Sequence, residues 1–288
     1  MRLIVNPELC NLCGACLLTC PADMVREKEG RIKIGRVACI ECGHCVAVCP
    51  EGAISVEEPA PGGEFAPAAG ESCSPEQLRR LLLHRRTVRR YQDRPVPREV
   101  LAEMLDTARW TPTAANCQCV RFTVLLDAAL RDEVAAEVAA FYHAYNEALQ
   151  DREHTAARLA ALGVDPGFGM HPHMLAAVPA FLKNVEAGRD RLFFGAPAVI
   201  VVHADAGEVL PETACHFATL ALVLLAEAQG LGTCITAYAS EALRALPPLR
   251  ARLGMAETQV VHDVLVAGYP AEDFRLIPPR HPAQVDWR

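Results

Sequence analysis

Eight of the thirteen cysteines stand in two runs of identical spacing, Cys10-x2-Cys13-x2-Cys16-x3-Cys20-Pro21 and Cys39-x2-Cys42-x2-Cys45-x3-Cys49-Pro50. Three thiolates from one tight loop can cap three irons of a cube, and a fourth from a distant turn closes the cage. The spacing is that of two [4Fe–4S] clusters in which the last cysteine of each run ligates the other run's cluster. On that rule Cys10, Cys13, Cys16 and Cys49 hold one cluster, and Cys39, Cys42, Cys45 and Cys20 hold the second. A zinc site uses two separated cysteine pairs around one tetrahedral ion, which leaves the third cysteine and the Cys-Pro of each run without a role. A disulfide framework belongs to small secreted domains, and this is a 288-residue chain. The chemistry expected is transfer of single electrons at low potential.

The elements that must position these residues come from a chain with ample core-forming material, 51% hydrophobic and 22% charged. A net charge of -7 argues against general nucleic-acid affinity. Pro7 and Cys10 interrupt any signal-peptide pattern at the N-terminus. The most apolar stretch, Phe217 to Ala228, is too short for a membrane span and reads as a buried helix. Free thiols and oxygen-sensitive clusters point to the reducing cytoplasm. The expectation is a cytoplasmic protein with neither a nucleic-acid nor a membrane partner.

The two cysteine runs repeat as a duplicated unit, bracketed by short strand-like pieces at Leu3–Val5, Arg31–Ile34 and Ala53–Val56. Residues 1–57 form this first domain. Residues 58–73, rich in Pro, Gly, Ala and Glu without apolar periodicity, read as a linker. Ser74-Pro75-Glu76-Gln77 then supplies an N-cap, a proline at the first helical position and a capping-box glutamine, so a second domain occupies 74–288. It alternates helix and strand signals. Helices are expected at 78–86, 100–109, 131–149, 152–162 and 212–229, the last ended by Gly230. Strands are expected at 121–126, 198–203, 233–238 and 259–267. The proline-rich closing segment from Gly268 must run extended. The fold class is α+β, a small iron–sulfur domain followed by an α/β domain with an extended C-terminal tail.

The densest charge in the chain is His84-Arg85-Arg86-Thr87-Val88-Arg89-Arg90-Tyr91. Cations at a helix end complement its dipole, but arginine forks around a hydroxyl also make a phosphate grip. Together with Pro95-Val96-Pro97 and Ala108-Arg109-Trp110-Thr111-Pro112-Thr113-Ala114-Ala115-Asn116-Cys117-Gln118, this run resembles the opening of the nitroreductase family. Phe194-Gly195-Ala196-Pro197 before a strand, Gly230-Leu231-Gly232-Thr233-Cys234 after a long helix, and Gly268-Tyr269-Pro270 ending in Ile277-Pro278-Pro279-Arg280 extend the resemblance over Ser74 to Arg288. With the ferredoxin-like front domain the chain resembles ferredoxin–nitroreductase fusions.

The resemblance implies FMN bound between the two chains of a homodimer. It places Arg85, Thr87 and Arg89 on the FMN phosphate, with Arg86 adding contacts from backbone or side chain and Arg280 closing from the C-terminus. It places Pro112, Thr113 and Ala114 against the flavin of the other subunit, with Asn116 and Gln118 shaping that segment. Ala237 and Tyr238 match the backbone beside flavin N5, although relatives often carry Gly or Glu at the first of these positions. Thr111-Pro112-Thr113 alters the family's Ala-Pro-Ser, and Gln118-Cys119 its Gln-Pro, which bears on pocket shape.

Other motifs read more plainly. Gly230-Leu231-Gly232 follows a helix and lacks the third glycine of a dinucleotide fingerprint, so it reads as a helix-ending turn. Cys73, Cys117, Cys119, Cys215 and Cys234 read as small buried hydrophobes or incidental thiols, with Cys117 and Cys119 nearest the expected flavin. His171-Pro172-His173 reads as a mobile loop at the pocket mouth and His203 as a core histidine. The function expected is passage of electrons from a low-potential donor, such as ferredoxin or NAD(P)H, through the clusters to FMN. A small electron-poor substrate (a nitroaromatic, a quinone or an activated double bond) is then reduced with a proton from water or a nearby donor. Alternatives on the same scaffold are a dehalogenase or enone reductase, or an electron-transfer or redox-sensing module serving a protein partner.

Overall fold

The computed structural model describes residues 2–57, 65, 66, 70 and 73–288. It falls into two compact units, Met1–Ser72 with Ala115–Cys117, and Cys73–Ala114 with Gln118–Arg288. Residues 58–64, 67–69, 71 and 72 of the expected linker lie outside the described residues.

The first unit is built twice over. Its elements are β1 (Leu3–Val5), α1 (Ala15–Thr19), β2 (Val25–Lys28), β3 (Arg31–Ile34), α2 (His44–Ala47) and β4 (Ile54–Val56). β1 pairs antiparallel with β4, and β2 with β3. Each cysteine run becomes a loop that enters a short helix through a left-handed glycine, Gly14 at φ 79° and Gly43 at φ 72°. The middle of each run, Cys16 or Cys45, is thereby turned into the interior. The duplication extends to backbone bonds: Leu17 N–H donates to Gly14 O, and Val46 N–H to Gly43 O, each at 3.0 Å. Among the described residues, β2 is the one strand that the sequence does not announce.

The second unit opens on α3 (Pro75–His84). Its capping box is formed as expected, with Gln77 N–H donating to Ser74 Oγ at 3.2 Å and Ser74 N–H to Gln77 Oε1 at 2.9 Å. There follow α4 (Arg98–Ala108), β5 (Arg121–Leu125), α5 (Ala128–Gln150), α6 (Thr155–Ala161), α7 (Pro166–Gly169), α8 (Pro172–Glu186), β6 (Ala198–Asp205), α9 (Pro211–Ala228), β7 (Gly232–Ile235), α10 (Ala237–Ala245), α11 (Pro247–Arg252) and β8 (Gln259–Gly268). The strands form one antiparallel sheet in the order β5-β6-β8-β7. Such a sheet with helices on both faces is α+β.

β6 is buried from Ala198 through Ala204, because both faces of the sheet are covered and the usual polar alternation has no solvent face to serve. Val199 and Val201 join the core shared with α5, α8 and α10, while α9 packs on β6, β8 and β7. α9 ends in a Schellman turn at Gly230, φ 74°: Gly230 N–H reaches Glu227 O at 3.1 Å and Leu231 N–H reaches Ala226 O at 2.8 Å. This is the helix-ending turn expected from the sequence. Two other readings differ. The 233–238 stretch is strand only to Ile235, after which Ala237 begins α10. His171 and His173 are not a loop but the N-cap and first turn of α8, His171 Nδ1 accepting from His173 N–H at 3.2 Å.

Candidate functional site

In the first unit the eight sequence-paired thiols collect into two cavities. Cys10, Cys13, Cys16 and Cys49 line one, and Cys20, Cys39, Cys42 and Cys45 line the other. Each cavity thus takes three cysteines from one run and the last cysteine of the other. The last cysteine of each run also accepts a backbone donor: Met24 N–H reaches Cys20 Sγ and Ala53 N–H reaches Cys49 Sγ, both at 3.3 Å. For Cys20, burial pushes the thiol up, but the donors of Met24, Ala22 and Val25 outweigh it and the net displacement is downward. Burial pushes the thiols of Cys16 and Cys45 up. Among the described residues no three His, Cys, Asp or Glu side chains close on a single ion position. The residues fit [4Fe–4S] ligation.

The arginine run lies at the end of α3 and alongside the sheet. Thr87 bridges Thr233 of β7 in parallel, and Val88 N–H donates to Thr233 O at 2.9 Å. Beyond it, Gln92 N–H donates to Tyr269 O at 2.9 Å and Ala271 N–H to Arg90 O at 3.0 Å, so the run also secures the start of the C-terminal tail. The four arginines divide their work. Arg86 Nη1 caps the helix end by donating to Leu83 O and Arg85 O, each at 2.7 Å, and its Nη2 reaches Leu276 O in the tail at 3.1 Å. That guanidinium is committed to carbonyls, which leaves its backbone for any phosphate. Arg90 pairs with Glu272 at 3.4 Å. Arg85, Arg89 and Arg280 enter no ion pair with a carboxylate among the described residues. Arg89 stands 5.9 Å over the Phe194 ring and draws the Cys234 thiol down against the larger effect of burial, which raises it. Arg85 and Arg89, two cations without carboxylate partners on either side of the exposed Thr87 in the chain, fit an anionic phosphate, while Arg280 lies in the exposed tail.

The segment at Pro112, Thr113 and Ala114 leads into a 3-10 turn, Ala114–Asn116. Ala115, Asn116 and Gln118 all take positive φ, at 49°, 53° and 48°, a conformation that costs non-glycine residues roughly 1 kcal/mol or more each. Gln118 N–H donates to Thr113 Oγ1 at 3.0 Å and holds the turn. Ala115–Cys117 group with the first unit, where the Asn116 amide donates to Ile40 O and Glu41 O, each at 3.1 Å.

Ala237 and Tyr238, in the first turn of α10, line a cavity of about 630 Å³. Phe168, His173 and Met174 line it from the α7–α8 side, and Glu241, His262 and Asp263 from α10 and β8. Tyr238 stacks on Phe181, ring centroids 4.6 Å apart, and donates its hydroxyl to Ala177 O at 3.1 Å. Sequence reasoning missed Glu241, which carries no local motif; only the docking of α10 against α5 reveals its setting. Of the remaining cysteines, Cys119, Cys215 and Cys234 are buried, Cys117 is half-buried and Cys73 exposed. His203 is buried on β6 as expected, its Nε2 lying 3.0 Å from Thr123 Oγ1.

A fold with helices on both faces of an antiparallel sheet, an arginine-flanked strand bridge and a cavity beside β7 defines a class, and the comparisons agree. The nitroreductase family model matches residues 82–269, and a 4Fe-4S dicluster domain model matches residues 2–50. The chain belongs to the nitroreductase family and is an FMN-dependent oxidoreductase with an iron–sulfur domain at its front. It is similar in fold to a nitroreductase with bound FMN from Desulfitobacterium hafniense DCB-2, at 21% identity and TM-score 0.54, covering 75% of this chain and 99% of that one. An FMN- and NADPH-dependent nitroreductase from Sphigopyxis sp. strain HMH aligns at 23% identity and TM-score 0.51, covering 73% and 98%. Oxidized iodotyrosine deiodinase bound to FMN and 3-iodo-L-tyrosine aligns at 19% identity and TM-score 0.51, also covering 73% and 98%. No curated protein matches the chain.

Proposed function

We propose that this protein takes single electrons from a low-potential one-electron carrier into two [4Fe–4S] clusters and uses them, on FMN, to reduce a small electron-poor organic molecule such as a nitroaromatic, a quinone or an activated alkene. The observation that carries the reading is the pair of crossed four-thiol cavities in the same chain as a nitroreductase unit. A flavin served by hydride alone needs no such wire. When bound, the clusters pass electrons singly and FMN gathers them in pairs for delivery as hydride.

The residues divide the remaining tasks. Cys10, Cys13, Cys16 and Cys49 hold one cluster, and Cys20, Cys39, Cys42 and Cys45 the other. Arg85, Arg89, Arg280 and the Thr87 hydroxyl neutralise and orient the phosphate, with the Arg86 backbone beside them. Ala237 and Tyr238 present helix-start backbone to the ring, and the cavity they line admits the acceptor. Pro112, Thr113 and Ala114 lie against the flavin of a second copy, with Asn116 and Gln118 fixing their turn. A homodimer is supported by exposed Phe217 and Leu220 on α9 and by the tail, where Leu276 is 83% and Trp287 91% exposed. The organisation proposed is 1–57 for the ferredoxin-like domain, 58–73 for the linker and 74–288 for the FMN domain. No helix among the described residues is long and apolar enough to cross a membrane, and clusters with free thiols suit a reducing cytoplasm.

The test is an anaerobic assay of the reconstituted full chain with reduced ferredoxin or with NAD(P)H, against a panel of acceptors. Reduced ferredoxin is expected to drive turnover that the double variant Cys20→Ala/Cys49→Ala, still holding flavin, loses. Equal turnover by that variant would remove the clusters from the path.

A further inference from the structure

The cavity beneath Ala237 and Tyr238 contains a carboxyl group that the family resemblance does not address. Tyr142 on α5 is fully buried, and its hydroxyl lies 3.1 Å from Tyr238 O and 3.2 Å from Glu241 Oε2. A phenol has one hydrogen to give. When it goes to the Tyr238 carbonyl, which can only accept, the Glu241 oxygen must bring a hydrogen of its own. The surroundings favour that arrangement. Glu241 is half-buried and forms no ion pair among the described residues. The nearest cation on its own helix, Arg244, spends its guanidinium on the carbonyls of Val261 and His262, at 3.1 and 3.5 Å. From α5 it faces Tyr142 and, stacked on it, Tyr145, whose buried hydroxyl has no partner. Across the cavity stand Asp165 and His173, and from β8 His262 and Asp263, the latter engaged by His216 at 2.7 Å. Burial pushes the Glu241 carboxyl above its ordinary range, partly offset by the Tyr142 hydrogen bond and by Arg244.

Resting on the oxidoreductase reading above, we propose that Glu241, which lines this cavity with its carboxyl against the buried Tyr142 hydroxyl, is the proton donor to the acceptor bound there. Two-electron reduction of a neutral organic acceptor consumes two electrons and two protons. A hydride equivalent brings both electrons and one proton and leaves the acceptor an anion. The Glu241 O–H bond then breaks, its proton forms the new bond on the anionic atom, and the carboxylate left behind is reprotonated by water entering the cavity. The acid thus stands on the wall that also carries Ala237 and Tyr238. A positioned acid of this kind is worth roughly a hundredfold or more in rate.

The experiment has two readouts on the flavin- and cluster-loaded full chain. An infrared difference between wild type and Glu241→Gln at neutral pH should show one carboxylic-acid C=O band, shifted in heavy water and absent from the variant. Separately, anaerobically reduced protein is mixed with nitrobenzene, benzoquinone or cyclohexenone. Glu241→Gln should slow reoxidation on the order of a hundredfold and abolish the fall in rate that the wild type shows at alkaline pH. No band in the difference spectrum means an ionised Glu241 and overturns the proposal, even with turnover intact. A band with unchanged rate and pH profile overturns it too. Should neither protein be reoxidised by any acceptor, the oxidoreductase reading fails, and the donor role with it. If Glu241→Gln does not fold, Glu241→Asp carries the test: the band and the pH dependence persist with a reduced rate, and their loss counts against the proposal.

Discussion

Gly232 and Val88 approach so closely that a Cβ built on Gly232 would stand 2.4 Å from Val88 Cγ2. Gly232 opens β7, and Val88 sits between Thr87 and Arg89, the residues proposed on the phosphate. The contact locks the arginine run onto the sheet, next to the Val88–Thr233 hydrogen bond. Gly232→Ala must push that run away, because Val88 is only 2% exposed and has no room to yield. A loss of about 1–3 kcal/mol is expected, read in chemical denaturation, together with weaker flavin retention. Wild-type stability in the variant would show that the run is not held there.

Arg85 and Arg86 are neighbours with different predicted phenotypes. Arg85→Ala removes a charge-assisted contact worth roughly 1.5–3 kcal/mol, so FMN affinity should fall about tenfold or more with stability nearly unchanged. Arg280→Ala should behave likewise. Arg86→Ala instead strips the cap from α3 and the tie to Leu276, so the expected loss is in stability. Flavin titration alongside denaturation separates the two.

Crossed ligation predicts a displaced effect. Cys20→Ala should damage the cluster of the second run, and Cys49→Ala that of the first. Anaerobically prepared wild type should hold close to eight irons and eight acid-labile sulfides per chain, two cubes' worth. Tightly bound zinc after anaerobic reconstitution would refute this.

His203 sets an acid limit on stability. Burial, and then repulsion by Arg121, hold its pKa at about 4 against an ordinary 6.5. Between those values the unfolded chain binds a proton that the folded chain refuses. This contribution is therefore complete above the unfolded pKa and is lost as pH falls from about 6.5 toward 4, by at most about 3 kcal/mol. Denaturation across that range should show the decline, and His203→Gln should flatten it.

Sedimentation checks the proposed dimer. Flavin-loaded protein should run as a dimer at micromolar concentration, since Phe274, Leu276 and Ile277 of the tail are exposed within one chain. A flavin-loaded monomer would reject it.

Much of this protein was legible because its strongest signals are local. The cysteine spacing specifies thiolate cages, Ser74 with Gln77 specifies a helix start, and Gly230 a helix end; each acts over a few residues of backbone, where stereochemistry alone decides. The nitroreductase run was legible as a pattern of residue types in order. Tertiary structure decided what depends on distant neighbours. The strand expected to reach Tyr238 stops at Ile235, because the chain turns into α10 to bury Ala239, Ala242 and Leu243 against the common core. Arg86 looks like its neighbours in the sequence, yet folding commits it to carbonyls at the end of α3 and in the tail. Glu241 is an unremarked acid on a short helix until Tyr142, far away in the chain, is placed against it. A hydrogen bond between residues so separated exists only after the core has packed, so the state of that proton belongs to the fold.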